Sequence, residues 1–302
     1  MINNDIPQII YIAGTARSGS TILAMLLGSC DGVVNVGEVT HIGRDGFDNN
    51  KQCTCNSEAK TCPVWGAVID KVQNSEAPNI ENIFSFTDRH EGVLIAFLRH
   101  IFHIKNKKWT ALNKTIFKEL GSSSGASTIV DSSKYAARGL LLSDTFQNRT
   151  KIICITRSPQ GLLEAFSKKN EKEQLKKTPR QACVYYFITA MSLRILSFCS
   201  RKKHIWITYE ELLENPIDVL HKIEGFLNTD LTQAKRLVEN SLPLSTGHVI
   251  TGNRLRHRKT VVFQNSGNTV VPEQRVNYFY LMVMSSLRIL LLIPLGVKPP
   301  QR

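Results

Sequence analysis

The residues best suited to chemistry come early in the chain. Gly14-Thr15-Ala16-Arg17-Ser18-Gly19-Ser20-Thr21 fits G-x-x-x-x-G-x-[ST] and lies between a short β-branched apolar run and a stretch of helical spacing. Backbone N–H groups at the start of a helix cradle an anion, and the glycines let the backbone approach it. An ATP-binding loop of this kind carries Lys where this chain has Ser20, and a separate acid helps hold magnesium. Here the cation stands three places earlier, at Arg17, and the one apolar strand that ends in such an acid is Ile129-Val130-Asp131. Arg17, Ser18, Gly19, Ser20 and Thr21 are therefore expected to bind phosphate or a chemical relative of it. A plain Gly/Ser turn is the alternative.

Asp131 and Lys134 fall where a parallel strand would end, the edge at which α/β sheets place ligands. They are expected near a substrate, although Asp131 could instead cap the next helix. Cys53, Cys55 and Cys62 are spaced C-x-C-x6-C. A zinc site would need a fourth ligand, for which His41 is a guess; a metal or a disulfide is the lesser reading, and a reduced structural cluster is preferred. His248 is a weaker site candidate, with a surface loop as its ordinary reading.

The elements that must position these residues alternate in type. Strands are predicted over 8–13, 128–130, 151–156 and 204–208, and helices over 20–27, 136–146, 159–169 and 216–227. Gly28 ends the first helix and Pro216 opens the last. Strands alternating with helices imply an α/β fold, a P-loop-type, mostly parallel sheet flanked by helices. Residues 75–125 break the alternation and are expected to form a helical insertion. The whole of 1–302 is taken as one domain.

The 302 residues carry 38 Lys plus Arg against 25 Asp plus Glu, a formal charge of +13. With 42% hydrophobic and 21% charged residues, collagen-like, disordered and multi-span membrane chains are excluded. Two stretches, 168–180 and 251–260, hold much of the excess and would concentrate anions nearby. Seven Cys are too sparse for a disulfide scaffold. The chain start has no signal-peptide pattern, so a cytoplasmic location is expected. An apolar helix is predicted over about 276–296. Arg288 would be costly at the centre of a membrane span, so this helix is expected to be buried or interfacial, with peripheral membrane contact as the lesser alternative.

The segment YIAGTARSGSTILAMLLG resembles the 5′-phosphosulfate loop of the PAPS-dependent sulfotransferases, in which Lys or Arg precedes S-G-[ST]-[ST]. Further likenesses follow in the family's order. They are NVGEV (35–39), the cysteine segment and VDSSK (130–134) of bacterial members, ICITRSP (153–159), ITYEELLENP (207–216) and HVITGNRLR (248–256). The resemblance implies that Arg157 grips the 3′-phosphate of PAPS, helped by Arg254 or Arg256, and that Tyr209 lies near the adenine. It also implies that Glu38 is the general base, with His41 as a replacement or a substrate-orienting group. One departure stands out: the family's Ser eight residues after the phosphate-binding Arg is Ala165 here, so either Ser158 or the late basic segment helps instead, or PAPS binds more weakly than usual.

The expected function is sulfuryl transfer from PAPS to a hydroxyl, with a carbohydrate or glycoconjugate acceptor implied by the resemblance. No metal is required, because the sulfuryl group carries less charge than a phosphoryl group. A P-loop kinase and a non-catalytic anion-binding protein are the competing readings. Nucleic acid is not expected as a partner, since the basic runs lack interleaved aromatics for base stacking. Oligomeric state is left open.

Overall fold

In the computed structural model, residues 6–74, 83–167, 177–200, 203–252, 258, 260–264 and 278–295 are described. Five strands, β1 (Gln8–Gly14), β2 (Val33–Gly37), β3 (Thr128–Lys134), β4 (Thr150–Thr156) and β5 (His204–Thr208), form one all-parallel sheet in the order β2-β3-β1-β4-β5. The helices are α1 (Ser20–Leu27), α2 (Trp65–Asn74), α3 (Ile83–His90), α4 (Val93–Ile101), α5 (Lys107–Ser124) and α6 (Ala136–Phe146). After them come α7 (Pro159–Ser167), α8 (Pro179–Ser200), α9 (Tyr209–Glu214), α10 (Pro216–Leu227), α11 (Thr232–Glu239) and α12 (Tyr278–Leu291).

Side chains alternate across a strand, so a strand apolar at every position must be covered on both faces. Ile9, Tyr11, Ile129, Ile152 and Cys154 point into a core shared with Phe117 of α5, Leu142 of α6 and Leu193 of α8. Ile10, Ile12, Val130, Ile153 and Ile155 point the other way, against Leu23 and Leu26 of α1 and Leu220 and Ile223 of α10. Each fully buried Ile or Leu contributes roughly 1.5–3 kcal/mol relative to exposure. From β1 the chain crosses to β2 on one side of the sheet, and from β4 to β5 on the other. The carboxyl end of β1 is thus the topological switch point, where such sheets bind ligands.

The predicted strands and helices form close to their expected bounds. The expected helical insertion is present between β2 and β3, but it is not continuous. Residues 75–82 lie outside the described residues, and Phe102–Asn106 separates α4 from α5. The Asn106 side chain accepts from Trp109 N–H at 3.0 Å to start α5, and Gly125, at φ 68°, ends it in the left-handed conformation.

Five of these strands and helices were not anticipated, among them α2, which precedes the expected insertion, and the short α9 after β5. β2 is a short apolar edge strand. The helix α11 is a small amphipathic element after α10. The long helix α8 opens on a Thr178/Gln181 capping box with Pro179 in its first turn. It is long and apolar enough to cross a membrane, yet it packs on α6 and α12. In α12, Met284 and Arg288 are buried, while Phe279, Met282 and Leu290 are exposed. Arg194 of α8 donates to the carbonyls of Leu290 and Leu291 at 3.0 and 3.2 Å, capping the end of α12 with a cation.

The insertion is tied to the sheet by a buried charge network. Arg138 Nε donates to Asp131 Oδ2 at 2.9 Å, and its Nη1 pairs with Glu91, which sits between α3 and α4. Glu91 also accepts from Thr40 Oγ1 at 2.6 Å and Trp109 Nε1 at 3.2 Å. Burial opposes the Arg138 charge, but Glu91 and Asp131 more than offset it and raise its pKa. Removing the cation leaves two carboxylates buried without it. Arg138→Met should therefore cost about 3–5 kcal/mol of unfolding free energy, read from urea denaturation.

Candidate functional site

Each strand delivers one polar side chain to the carboxyl edge of the sheet. β1 leads to the loop of Arg17, β2 to Glu38, β3 to Lys134, β4 to Arg157 and β5 to Tyr209. Their order across the edge follows strand order, so Glu38 and Lys134 lie on one side of the loop and Arg157 and Tyr209 on the other.

The loop turns through two left-handed residues, Arg17 at φ 65° and Gly19 at φ 86°. Ser18 is fully buried and donates its hydroxyl to Thr15 O at 2.6 Å, which closes the loop on itself. Ser20 is buried at the first position of α1, Thr21 follows it, and the N-cap residue Gly19 supplies no side-chain cap. A Cβ on Gly19 would sit 2.4 Å from the Tyr209 ring, so the ring lies directly against the loop backbone. The structure thus presents the start of α1 as an uncapped helix N-terminus, the arrangement expected for an anion site.

On the β4–β5 side, Arg157 Nη1 donates to Arg17 O at 3.0 Å, and its guanidinium lies 4.5 Å above the Tyr209 ring centroid. Its Nε is buried with no hydrogen-bond partner among the described residues. Gly161 leaves the room this side chain occupies, since a Cβ there would come within 2.7 Å of that Nε. Ser158 Oγ accepts from Gly161 N–H at 3.2 Å and so starts α7, while Ser167 is bonded to its own helix at Glu164 O. Ala165, at the position of the family's Ser, is buried. Arg254 and Arg256 lie outside the described residues.

On the β2–β3 side, Glu38 pairs with Lys134 Nζ, which the chain reaches through a left-handed residue at φ 73°. His41 Nε2 is 3.8 Å from the other Glu38 oxygen. Thr251 Oγ1 donates to Glu38 O at 2.8 Å, bringing the late segment against this turn. Burial lowers the His41 pKa from 6.5, with Glu38 acting in the opposite sense. The imidazole is therefore mostly neutral at pH 7. Half-exposed Tyr135 stands edge-on to it, with ring centroids 5.8 Å apart.

Two expectations are corrected. Asp131 is 0% exposed and engaged by Arg138 and Ser133, so it does not face a substrate. Its carboxylate instead fixes Ser133, whose Oγ accepts from Thr40 N–H at 3.1 Å and holds the turn that carries Glu38. It is a positioning residue for that turn. His41 is not the fourth partner of the cysteines. That place is taken by His248, from the opposite end of the sequence.

Sequence reasoning also missed Tyr185, whose hydroxyl accepts the Ala16 N–H at 2.7 Å, and Glu210, which accepts from Ser158 N–H at 2.9 Å. Lys177, the last lysine of the basic run, lies 5.4 Å from the Tyr185 ring. Glu210 was within reach as the acid following Tyr209 in a capped first turn, whereas Tyr185 has no local signal.

A cavity of ≈ 340 Å³ lies elsewhere, at the C-terminal end of α6, lined by His100, Asp144 and Lys203 among others. It is at the opposite end of the sheet from the loop and plays no part in this site.

No protein-family model and no curated protein matches the sequence. Among solved structures, a sulfotransferase domain from the curacin biosynthetic pathway superposes at 16% identity with a TM-score of 0.50, covering 98% of this chain and 99% of that one. A sulfotransferase domain from the Synechococcus PCC 7002 olefin synthase gives 16% identity and 0.49 over 94% and 96%. The sulfotransferase STF9 from Mycobacterium avium gives 14% and 0.44 over 78% and 68%. The all-parallel sheet is a P-loop-type α/β fold, and the first of these matches shows the fold of that sulfotransferase domain over 98% of this chain.

Two outcomes test the site geometry. Gly19→Ala forces a left-handed Ala, costing roughly 1–2 kcal/mol, and pushes a methyl into Tyr209. Denaturation should show at least that loss. For His41, the folded pKa lies below the unfolded value of 6.5. Its stabilising effect is therefore present above pH 6.5 and lost as pH falls through the folded value. The stability difference between His41→Gln and wild type should be flat above pH 6.5 and move in favour of the variant below it. A flat difference throughout would contradict the buried neutral imidazole.

Proposed function

We propose that this protein is a sulfotransferase that moves a sulfuryl group from PAPS to a hydroxyl acceptor. The observation that carries the reading is the division of the edge: an anion loop in the middle, a cation and aromatic ring on one side, and a carboxylate with a lysine on the other. A donor nucleotide and an acceptor would meet across the loop.

The residues present fit such a donor. Arg157 Nε is an orphaned buried donor beside the loop, suited to the 3′-phosphate, and the Tyr209 ring next to it offers an apolar face to adenine. The uncapped start of α1, with Ser18, Gly19, Ser20 and Thr21, would receive the 5′-phosphosulfate. PAPS supplies the activated sulfuryl group. Arg17 balances charge on the bridging oxygen as that bond lengthens, and Glu38 takes the acceptor hydroxyl proton as the new S–O bond forms. Lys134 fixes the Glu38 carboxylate, and neutral His41 orients the acceptor.

The carbohydrate or glycoconjugate acceptor is supported by the resemblance and by Tyr135, whose half-exposed ring beside His41 could stack on a sugar face. An ATP-dependent kinase reading is weakened, because Ser20 replaces the loop Lys and Asp131 is already paired with Arg138.

Adenosine 3′,5′-bisphosphate (PAP) should raise the melting temperature, and ATP should do so far less. Arg17→Ala should lower kcat by roughly 10²–10³-fold with the fold intact. Glu38→Gln should keep PAP affinity by calorimetry and lose about 10²–10⁴-fold in rate. Unchanged turnover in Glu38→Gln would move the base elsewhere, to His41 first.

A further inference from the structure

Away from the proposed reaction centre, four side chains with ligand chemistry converge. Cys53, Cys55 and Cys62 belong to a stretch with little regular structure, containing one 3-10 turn at Ala59–Thr61 and an isolated bridge between Gln52 and Glu58. His248 arrives from a segment almost two hundred residues later. The sulfurs of Cys55 and Cys62 are 3.6 Å apart, those of Cys62 and Cys53 also 3.6 Å, and Cys62 Sγ is 3.4 Å from His248 Nδ1. All four ligand atoms lie within 4.8 Å of one another.

These separations match no disulfide, whose sulfurs stand about 2.0 Å apart, and all seven cysteines are free. They do match the edges of a metal tetrahedron. Zinc bonds of about 2.3 Å to sulfur and about 2.0–2.1 Å to nitrogen place S···S edges near about 3.8 Å and S···N edges near about 3.5 Å.

The surroundings hold the ligands in place. Trp65 N–H points at Cys62 Sγ from 3.5 Å, and Trp65 Nε1 donates to His248 O at 2.7 Å. His248 N–H donates to Asn35 O at 2.8 Å. Thr54, between the first two cysteines, donates its hydroxyl to Gly247 O at 2.6 Å and accepts from Val249 N–H at 2.9 Å. Cys53 and Cys62 are buried. Thiols make only weak hydrogen bonds, so three thiols packed with an imidazole would hold two distant segments together poorly.

We propose that Cys53, Cys55, Cys62 and His248 form a closed structural Zn²⁺ site. Binding displaces the thiol protons, leaving thiolates and a neutral imidazole on the ion. Four protein ligands leave no open position for water or substrate, so the ion takes no part in catalysis. Its role is mechanical. Beyond His248, Val249 packs on Gly37, Thr251 donates to Glu38 O, and Gly252 lies against the Glu38 carboxylate. The zinc would anchor the late segment that forms one wall of the β2–β3 side of the site, and from which the chain continues to Arg254 and Arg256.

The test uses the full chain and needs no turnover, so it stands or falls apart from the sulfotransferase reading. Protein made in zinc-supplemented medium and purified with reductant should carry one zinc per chain by elemental analysis, released when a mercurial titrates the thiols. Exchange for Co²⁺ should give the intense visible bands of tetrahedral cobalt with thiolate charge transfer. Cys55→Ser and His248→Ala should lose zinc or weaken the cobalt bands, and Cys183→Ser should retain both in full. Zinc far below one per chain together with octahedral, thiolate-free cobalt in the wild type would overturn the proposal, whether or not the variants fold. So would an intact mass two hydrogens short, showing a disulfide among these cysteines.

Discussion

An uncapped helix N-terminus at the end of the central strand sets the terms for this molecule. α1 begins directly after two left-handed residues, Arg17 and Gly19, and its N-cap Gly19 has no side chain to close it. Its first N–H groups and the positive end of its dipole face the carboxyl edge of the sheet. Keeping that end open requires neighbours that support the loop without filling it. The Tyr209 ring lies against Gly19, the Tyr185 hydroxyl takes the Ala16 N–H, and the Ser18 hydroxyl turns back onto Thr15. Arg157 braces the loop at the Arg17 carbonyl.

The parallel sheet divides the labour around this point. Because every strand ends on the same edge, neighbouring strands set neighbouring side chains in a row. Arg157 and Tyr209 share one side and touch each other, while Glu38 and Lys134 share the other and pair. A cation with an aromatic ring and a carboxylate with a lysine are thereby kept on opposite flanks of one helix N-terminus. Two residues of like charge thus hold different positions: Arg157 lies over the Tyr209 ring and against the loop, Lys134 against the Glu38 carboxylate.

The β2–β3 flank depends on groups that never need to touch a ligand. Asp131, Arg138 and Glu91 form a chain of charges running from β3 through α6 into the insertion, with Thr40 and Ser133 linking it to the turn that carries Glu38. The late segment closes the same turn from the other side through Thr251. A carboxylate at the end of a short edge strand would otherwise have few constraints. Here it is held by three parts of the chain far apart in sequence.

Much of the frame was legible in the residue order, because strand and helix signals are local. The apolar runs of β1, β4 and β5, the glycines around Arg17, Gly28 after α1 and Pro216 before α10 act over a few neighbours, and their elements formed close to where they were expected. The loop could be named in advance for the same reason, since it follows directly on a readable strand, whereas Arg157 and Tyr209 were singled out only by the resemblance to a known family. Only the tertiary structure decided which acids and histidines do what. Asp131 and Glu38 look alike in sequence, yet one is sealed beneath Arg138 and the other stays partly exposed and pairs with Lys134. His41 sits nearer the cysteines in sequence, yet it stands against Glu38 while His248 joins them. A side chain's role depends on its burial and on partners brought from distant segments, and neither is encoded within the short window that a sequence pattern reads.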